Sequence, residues 1–177
     1  MKSLPLVIVL AALTLYGHPV DPLEGLWQGY DPEWGHVSRQ LVALAEAIPG
    51  EKFAWRPAPG VRSTGQVFMH IAISNFYLLS YTGPKVPADI DSPNFESSVT
   101  AKADVIQVLK RSLDAVKNAR ATLKPRDLQR KIKVEGVDAT VDGVYLRIII
   151  HANEHMGQLV AYARMNGIVP PWSAGAK

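Results

Sequence analysis

Residues 141–166, VDGVYLRIIIHANEHMGQLVAYARMN, set the tightest constraint on the fold. Apolar side chains recur there at helical spacing over about seven turns. Gly167 stands where a left-handed helix stop belongs, and Pro170-Pro171 prevent continuation. A helix this apolar needs other elements to cover it. It also carries His151 and His155, four residues apart and therefore on one face.

The rest of the chain offers three more helices. Asp31 is placed to cap the first, with Pro32 at its first position, and the helix is expected to run to Ala47 with Val37, Leu41, Leu44 and Ile48 on its buried face. Pro49-Gly50 stops it, and EKFAWRPAPGVR is a connector in which Pro57 and Pro59 forbid regular helix. Ser63-Thr64-Gly65-Gln66 has the form of a capping box. The helix it opens carries Val67, Met69, His70, Ile73, Phe76, Tyr77 and Leu78 and ends near Gly83-Pro84. A third, amphipathic helix is predicted over 97–123, on a stripe of Val99, Ala103, Ile106, Leu109 or Lys110, Leu113, Val116 and Arg120.

Two connections, at about 84–96 and 124–140, are long and irregular; within the second, Lys131 to Glu135 alternates like a strand before Gly136, so a short hairpin is an alternative there. The expected fold class is all-α, a four-helix bundle with long irregular connections, forming one domain over 18–177. Its 177 residues, 47% of them hydrophobic, suffice for one well-buried core. Ahead of it, LPLVIVLAALTLY after Met1-Lys2-Ser3 has the length of a secretory signal, expected to end near Gly17. That predicts a periplasmic or secreted protein with no stable membrane insertion after cleavage. There is no cysteine, hence no disulfide and no thiolate ligand. The net charge of +3 is scattered, and the densest basic patch, Arg126 to Lys133, has no interleaved aromatic residues; nucleic acid is not an expected partner.

Two histidines on one helical face can approach a single ion, and a third ligand is needed. His70, on the same face of the second helix as Val67, Ile73 and Tyr77, supplies it if that face looks into the bundle. Each imidazole also has an ordinary alternative as a hydrogen-bonded core residue. A zinc-protease H-E-x-x-H reading fails, because Ala152 follows the first histidine. His18 and His36 are read as surface residues.

The segments WRPAPGVRSTGQVFMHIA (55–72) and HANEHMGQLVAYARMNGIVPP (151–171) resemble the DinB superfamily of metal-dependent enzymes, which includes the YfiT-like proteins. The resemblance implies a four-helix bundle in which His70, His151 and His155 bind a divalent metal ion, commonly Ni, Zn, Fe or Mn. Members with an assigned reaction include transferases and isomerases that use low-molecular-weight thiols, and homodimers are common.

Around the triad, Gln158 is read as a bundle hydrogen bond or a ligand-orienting group. Glu154, about 80° from the histidines on an ideal helix, is read as solvated. Tyr77, Met69, Met156 and Met165 are read as packing, and Arg164 as a cap for the last carbonyls. The function expected is an exported metal-binding enzyme, a hydrolase or thiol-type transferase acting on a small molecule. The alternative is a non-catalytic bundle that binds a partner or hydrophobic ligand, with the metal structural or absent.

Overall fold

The computed structural model describes residues 29–175; the predicted signal segment at 1–17 and His18 lie outside them. In chain order the elements are α1 (Tyr30–Ala47), α2 (Thr64–Ser80), the one-turn α3 (Phe95–Ser98), α4 (Lys102–Ala121), the one-turn α5 (Pro125–Leu128), β1 (Lys131–Val134), β2 (Val137–Thr140) and α6 (Val141–Met165). Short 3₁₀ turns follow α1 and α6, at Gly50–Lys52 and Pro171–Ser173. The fold is therefore mostly helical rather than all-α, since a hairpin interrupts it.

The helix ends follow local chemistry. At α2 the capping box forms as predicted: the Gln66 amide donates to Ser63 Oγ at 3.3 Å and the Ser63 amide to Gln66 Oε1 at 2.9 Å. The next amides are taken by the connector, Thr64 to the Trp55 carbonyl and Gly65 to the Phe53 carbonyl, each at 2.9 Å. A side chain at position 65 would meet that Phe53 oxygen at 3.2 Å, so glycine allows this docking. Gly167 (φ 74) ends α6 in a Schellman motif, with Ile168 N–H on the Ala163 carbonyl and Gly167 N–H on the Arg164 carbonyl. The carbonyl of Tyr162 is taken by Asn166 Nδ2 at 2.9 Å, a capping role expected of Arg164.

Two expectations are corrected and one alternative is decided. The first helix starts at Tyr30 after Gly29, not at Pro32 with Asp31 as cap. Pro32 is tolerated inside the first turn because the first four helix amides have no intrahelical partner. The extension is held by the Tyr30 ring, which stacks on Trp34 and meets Tyr145 edge-on at 5.5 Å. The helix predicted over 97–123 is broken by extended Val99 (φ −93, ψ 103) into α3 and α4. Lys102 at the head of α4 donates to the Glu46 and Ile48 carbonyls at the end of α1, which fixes where α4 begins. The buried stripe is consequently Val105, Leu109, Ser112, Leu113 and Val116, with Ala103 exposed and Ile106 half-buried. Finally, residues 131–140 form the hairpin alternative, in register Lys131 opposite Thr140. It turns at Glu135 (φ 49) and Gly136 (φ 83), the two left-handed positions of a type I′ turn.

Packing explains the length of the connections from α1 to α2 and from α4 to α6. α2 packs on α4 and α6, and α1 packs on the same two helices, the adjacency of a square with α1 opposite α2 and α4 opposite α6. Successive helices α1 and α2 thus stand on one diagonal, as do α4 and α6, and the chain must cross the end of the bundle between them. The core includes Trp34, Val37, Leu41 and Leu44 of α1, Phe68, Met69 and Ile71 of α2, and Tyr145, Ile148 and Leu159 of α6. Trp34 Nε1 donates to the Leu113 carbonyl at 3.2 Å, and Asn75 Nδ2 to Ser112 Oγ at 3.2 Å, so each pair also fixes a helix rotation. Among the described residues no helix is long and apolar enough to cross a membrane.

The buried Ser63 cap orients the start of the helix that carries His70. Ser63→Ala is expected to cost about 1 kcal/mol in chemical denaturation with an unchanged m-value; no loss would show that the connector alone fixes this end.

Candidate metal centre

α2 and α6 face each other with His70 on one and His151 and His155 on the other. Their ligand nitrogens all lie within 4.8 Å of one another. His70 Nε2 and His151 Nε2 are 3.2 Å apart, and the three ring centroids are separated by 4.6–5.0 Å with the planes steeply inclined. His151 is buried, while His70 and His155 are half-buried. The face of α2 that carries His70 is a boundary face, not the deep interior: Ile73 is half-buried and Tyr77 exposed.

The outer nitrogens are held by Glu96, which the sequence reading does not single out, and by Gln158, which it does. His70 Nδ1 faces Glu96 Oε2 of α3 at 3.5 Å, and Glu96 is gripped by Arg62 through Nε at 2.7 Å and Nη2 at 3.4 Å. His155 Nδ1 donates to Gln158 Oε1 at 2.8 Å; Gln158 Nε2 donates to Tyr162 Oη at 2.8 Å, and Tyr162 Oη donates to the Arg62 carbonyl at 3.4 Å. That donor order is the one in which every hydroxyl and amide is satisfied, and it places the proton of His155 on Nδ1. Both chains converge on Arg62, the residue before the Ser63 cap. With Nδ1 engaged outward on His70 and His155, their Nε2 lone pairs are left for the centre.

Electrostatics favour the neutral form of His151 and His70. Burial, followed by the neighbouring His155 and His70 and by Arg147 and Arg62, holds His151 at about 4, against 6.5 for a free imidazole. Burial likewise lowers His70, Arg62 and His155 act in the same direction, and Glu96 opposes them. Neutral imidazoles are the form that binds metal.

The donor set fits a divalent first-row ion. A nitrogen–metal distance of about 2.1 Å in tetrahedral geometry gives a nitrogen–nitrogen edge of about 3.4 Å, close to the 3.2 Å between His70 and His151. The buried His151 meets only another imidazole nitrogen through Nε2, and its Nδ1 has no hydrogen-bond partner among the described residues. A bound ion would satisfy the first of these nitrogens. Beside the cluster an open depression of about 660 Å³ is lined by polar side chains including Arg56, Arg62, Gln66, Glu96, His155 and Gln158.

The other residues weighed from sequence fall outside the cluster. The Tyr77 hydroxyl donates to Asp91 at 2.6 Å, and Glu154 pairs with Arg147 at 3.2 Å on the surface, as expected of a solvated residue. Gln158 is both a bundle hydrogen bond and the group that orients His155. Met69 is buried in the core and Met156 packs half-buried against it, whereas Met165, 64% exposed, is not packing. His36 is half-buried on α1 rather than a surface residue. Arg62 and Tyr162 lay inside or beside stretches already noted, but nothing in the local sequence tied Glu96, at the end of a turn-rich loop, to His70.

Replacing Glu96 by Gln removes the anionic acceptor for His70 at constant size; metal affinity is expected to fall about 10-fold or more, read by competition with a chromogenic chelator, while thermal stability without metal changes little. The pH dependence of the metal-free protein has a defined sign. His151 stays neutral in the fold down to about 4 but takes up a proton at 6.5 when unfolded, so the unfolded state binds more protons in that window. Stability is therefore lost as pH falls from 6.5 toward 4, and His151→Gln flattens that slope in denaturation at stepped pH.

Comparison with known proteins agrees with this fold. A family model described as the DinB superfamily matches residues 33–159. No curated protein matches the chain. Among solved structures, a DinB-like protein from Bacillus cereus ATCC 10987 aligns with a TM-score of 0.72 at 21% identity, over 82% of this chain and 95% of that one. A second, YjoA from Bacillus subtilis, aligns with a TM-score of 0.61 at 20% identity, over 78% and 91%. YfiT from Bacillus subtilis, described as a probable metal-dependent hydrolase with an unusual four-helix bundle topology, aligns with a TM-score of 0.57 at 13% identity, over 78% and 88%. Matched by that family model over residues 33–159, most of its length, the chain belongs to the DinB superfamily.

Proposed function

We propose that this protein is an exported metal-dependent enzyme, a hydrolase by first reading and a thiol-type transferase by second, acting on a small molecule. One observation carries the proposal: three imidazoles converge from two helices, and one of them, His155, lines an open polar depression. A structural site is closed by four protein ligands, whereas a catalytic one keeps a position open. Among the described residues this cluster has three. The description of YfiT as a probable metal-dependent hydrolase supports the same reading. Export rests on the apolar N-terminal segment, and a periplasmic or secreted location follows from it. Homodimerisation is proposed from family habit.

His70, His151 and His155 would hold the ion. The ion supplies Lewis acidity, which makes water or a thiol nucleophilic near neutral pH. Glu96 and Gln158 fix the ring orientations of His70 and His155, and Arg62 holds Glu96 directly and Gln158 through Tyr162, so the donors are aimed before anything binds. His155 and Gln158 line the depression and so present the open side to a substrate.

The test is a screen of ester, amide and thiol-transfer substrates with the metal-loaded protein. Activity is expected to vanish on chelation, to return on reloading, and to be lost in His151→Ala while helicity is retained. Full activity in chelated protein would contradict the proposal.

A further inference from the structure

The depression is unusually rich in positive charge for a place beside a cation site. Arg56, Arg62 and Glu96 line it together with His155, giving two guanidinium groups against one carboxylate. The carboxylate is already committed, since Glu96 is held by Arg62 at 2.7 Å. Arg56 is not neutralised. Its Nη2 meets Gln66 Oε1 at 3.4 Å, a neutral acceptor already occupied by the Ser63 amide at 2.9 Å, and among the described residues Arg56 forms no ion pair.

Its position is also fixed. On one side Trp55 packs edge-on against Tyr162 at 5.3 Å, and its carbonyl accepts the Thr64 amide. On the other, Pro57 restricts the backbone. The guanidinium is thus presented from an anchored segment.

Imidazoles bind a metal in their neutral form, so three histidine ligands bring no charge of their own to offset a divalent ion. With the ion in place, the lining would carry its two positive charges plus the uncompensated charge of Arg56. An unpaired cation beside a bound cation is unfavourable unless an anion joins them. We propose that the depression binds an oxyanionic group of the substrate, a carboxylate or a phosphate, with Arg56 as its principal partner. The inference rests on the metal-dependent reading and names the substrate class of that same site; cationic amines are excluded by it.

The test is calorimetric titration of the zinc-loaded full chain at physiological salt with phenyl phosphate and phenylacetate, and with neutral phenylacetamide as reference. Wild type is expected to bind at least one anion about tenfold or more tightly than the amide, and the preferred anion tells phosphate from carboxylate. Arg56→Gln should remove that preference with metal content and amide binding unchanged, while Arg39→Gln, on α1, keeps it. Anions that bind no better than the amide to metal-loaded wild type, or equally well to Arg56→Gln, would overturn the anion site and leave the metal-dependent reading standing. If wild type takes up neither zinc nor, on exposure, nickel, iron or manganese, the metal-dependent reading fails instead. The metal-free titration then decides the anion site by the same Arg56 dependence.

Discussion

Everything at the centre depends on bringing His70 and His151 to within 3.2 Å across the α2–α6 contact. Two imidazole nitrogens placed that close between helices would be replaced by aliphatic packing in a bundle built for stability alone, because polar rings held out of water without good partners cost free energy. The surrounding core shows what that packing looks like: Phe68, Met69 and Ile71 on one helix, Ile148 and Leu159 on the other, all fully buried. Burial is also what keeps His151 neutral, so the apolar core prepares the donor as well as holding it.

Arg62 joins the two halves of the arrangement. Its guanidinium holds Glu96 opposite His70, and its carbonyl ends the chain that runs from His155 through Gln158 and Tyr162. A single residue at the start of α2 therefore couples α3, α2 and α6. The capping box beside it and the docking of Gly65 on Phe53 fix the same end of α2. The diagonal helix order makes this possible, because the connector crossing from α1 to α2 is what lays Trp55, Arg56 and Arg62 over the end of the bundle where the histidines open.

Much of this was legible in the sequence where one residue type has one physical meaning. The S-x-x-Q capping box, Gly167 as a left-handed stop, and the one-turn spacing of His151 and His155 each translated directly into structure. What stayed hidden depends on the third dimension. The break at Val99 is decided by Lys102 reaching the end of α1, more than fifty residues away in sequence. Glu96 finds His70 only because α3 folds back across α2. The start of α1 was misread because the aromatic contacts of Tyr30 outweigh the usual meaning of Asp-Pro. The exposed Arg56 guanidinium, which lines the depression together with His155, comes from a connector whose course no periodicity reveals.

The most direct measurement is elemental analysis of the untagged protein, prepared in parallel with a His70→Ala, His151→Ala, His155→Ala variant. The account predicts close to one first-row divalent ion per chain in the wild type and none in the variant, with both folded. Metal-free wild type that stays metal-free after exposure to zinc, nickel, iron and manganese would contradict it and leave the three histidines as ordinary boundary residues of the bundle.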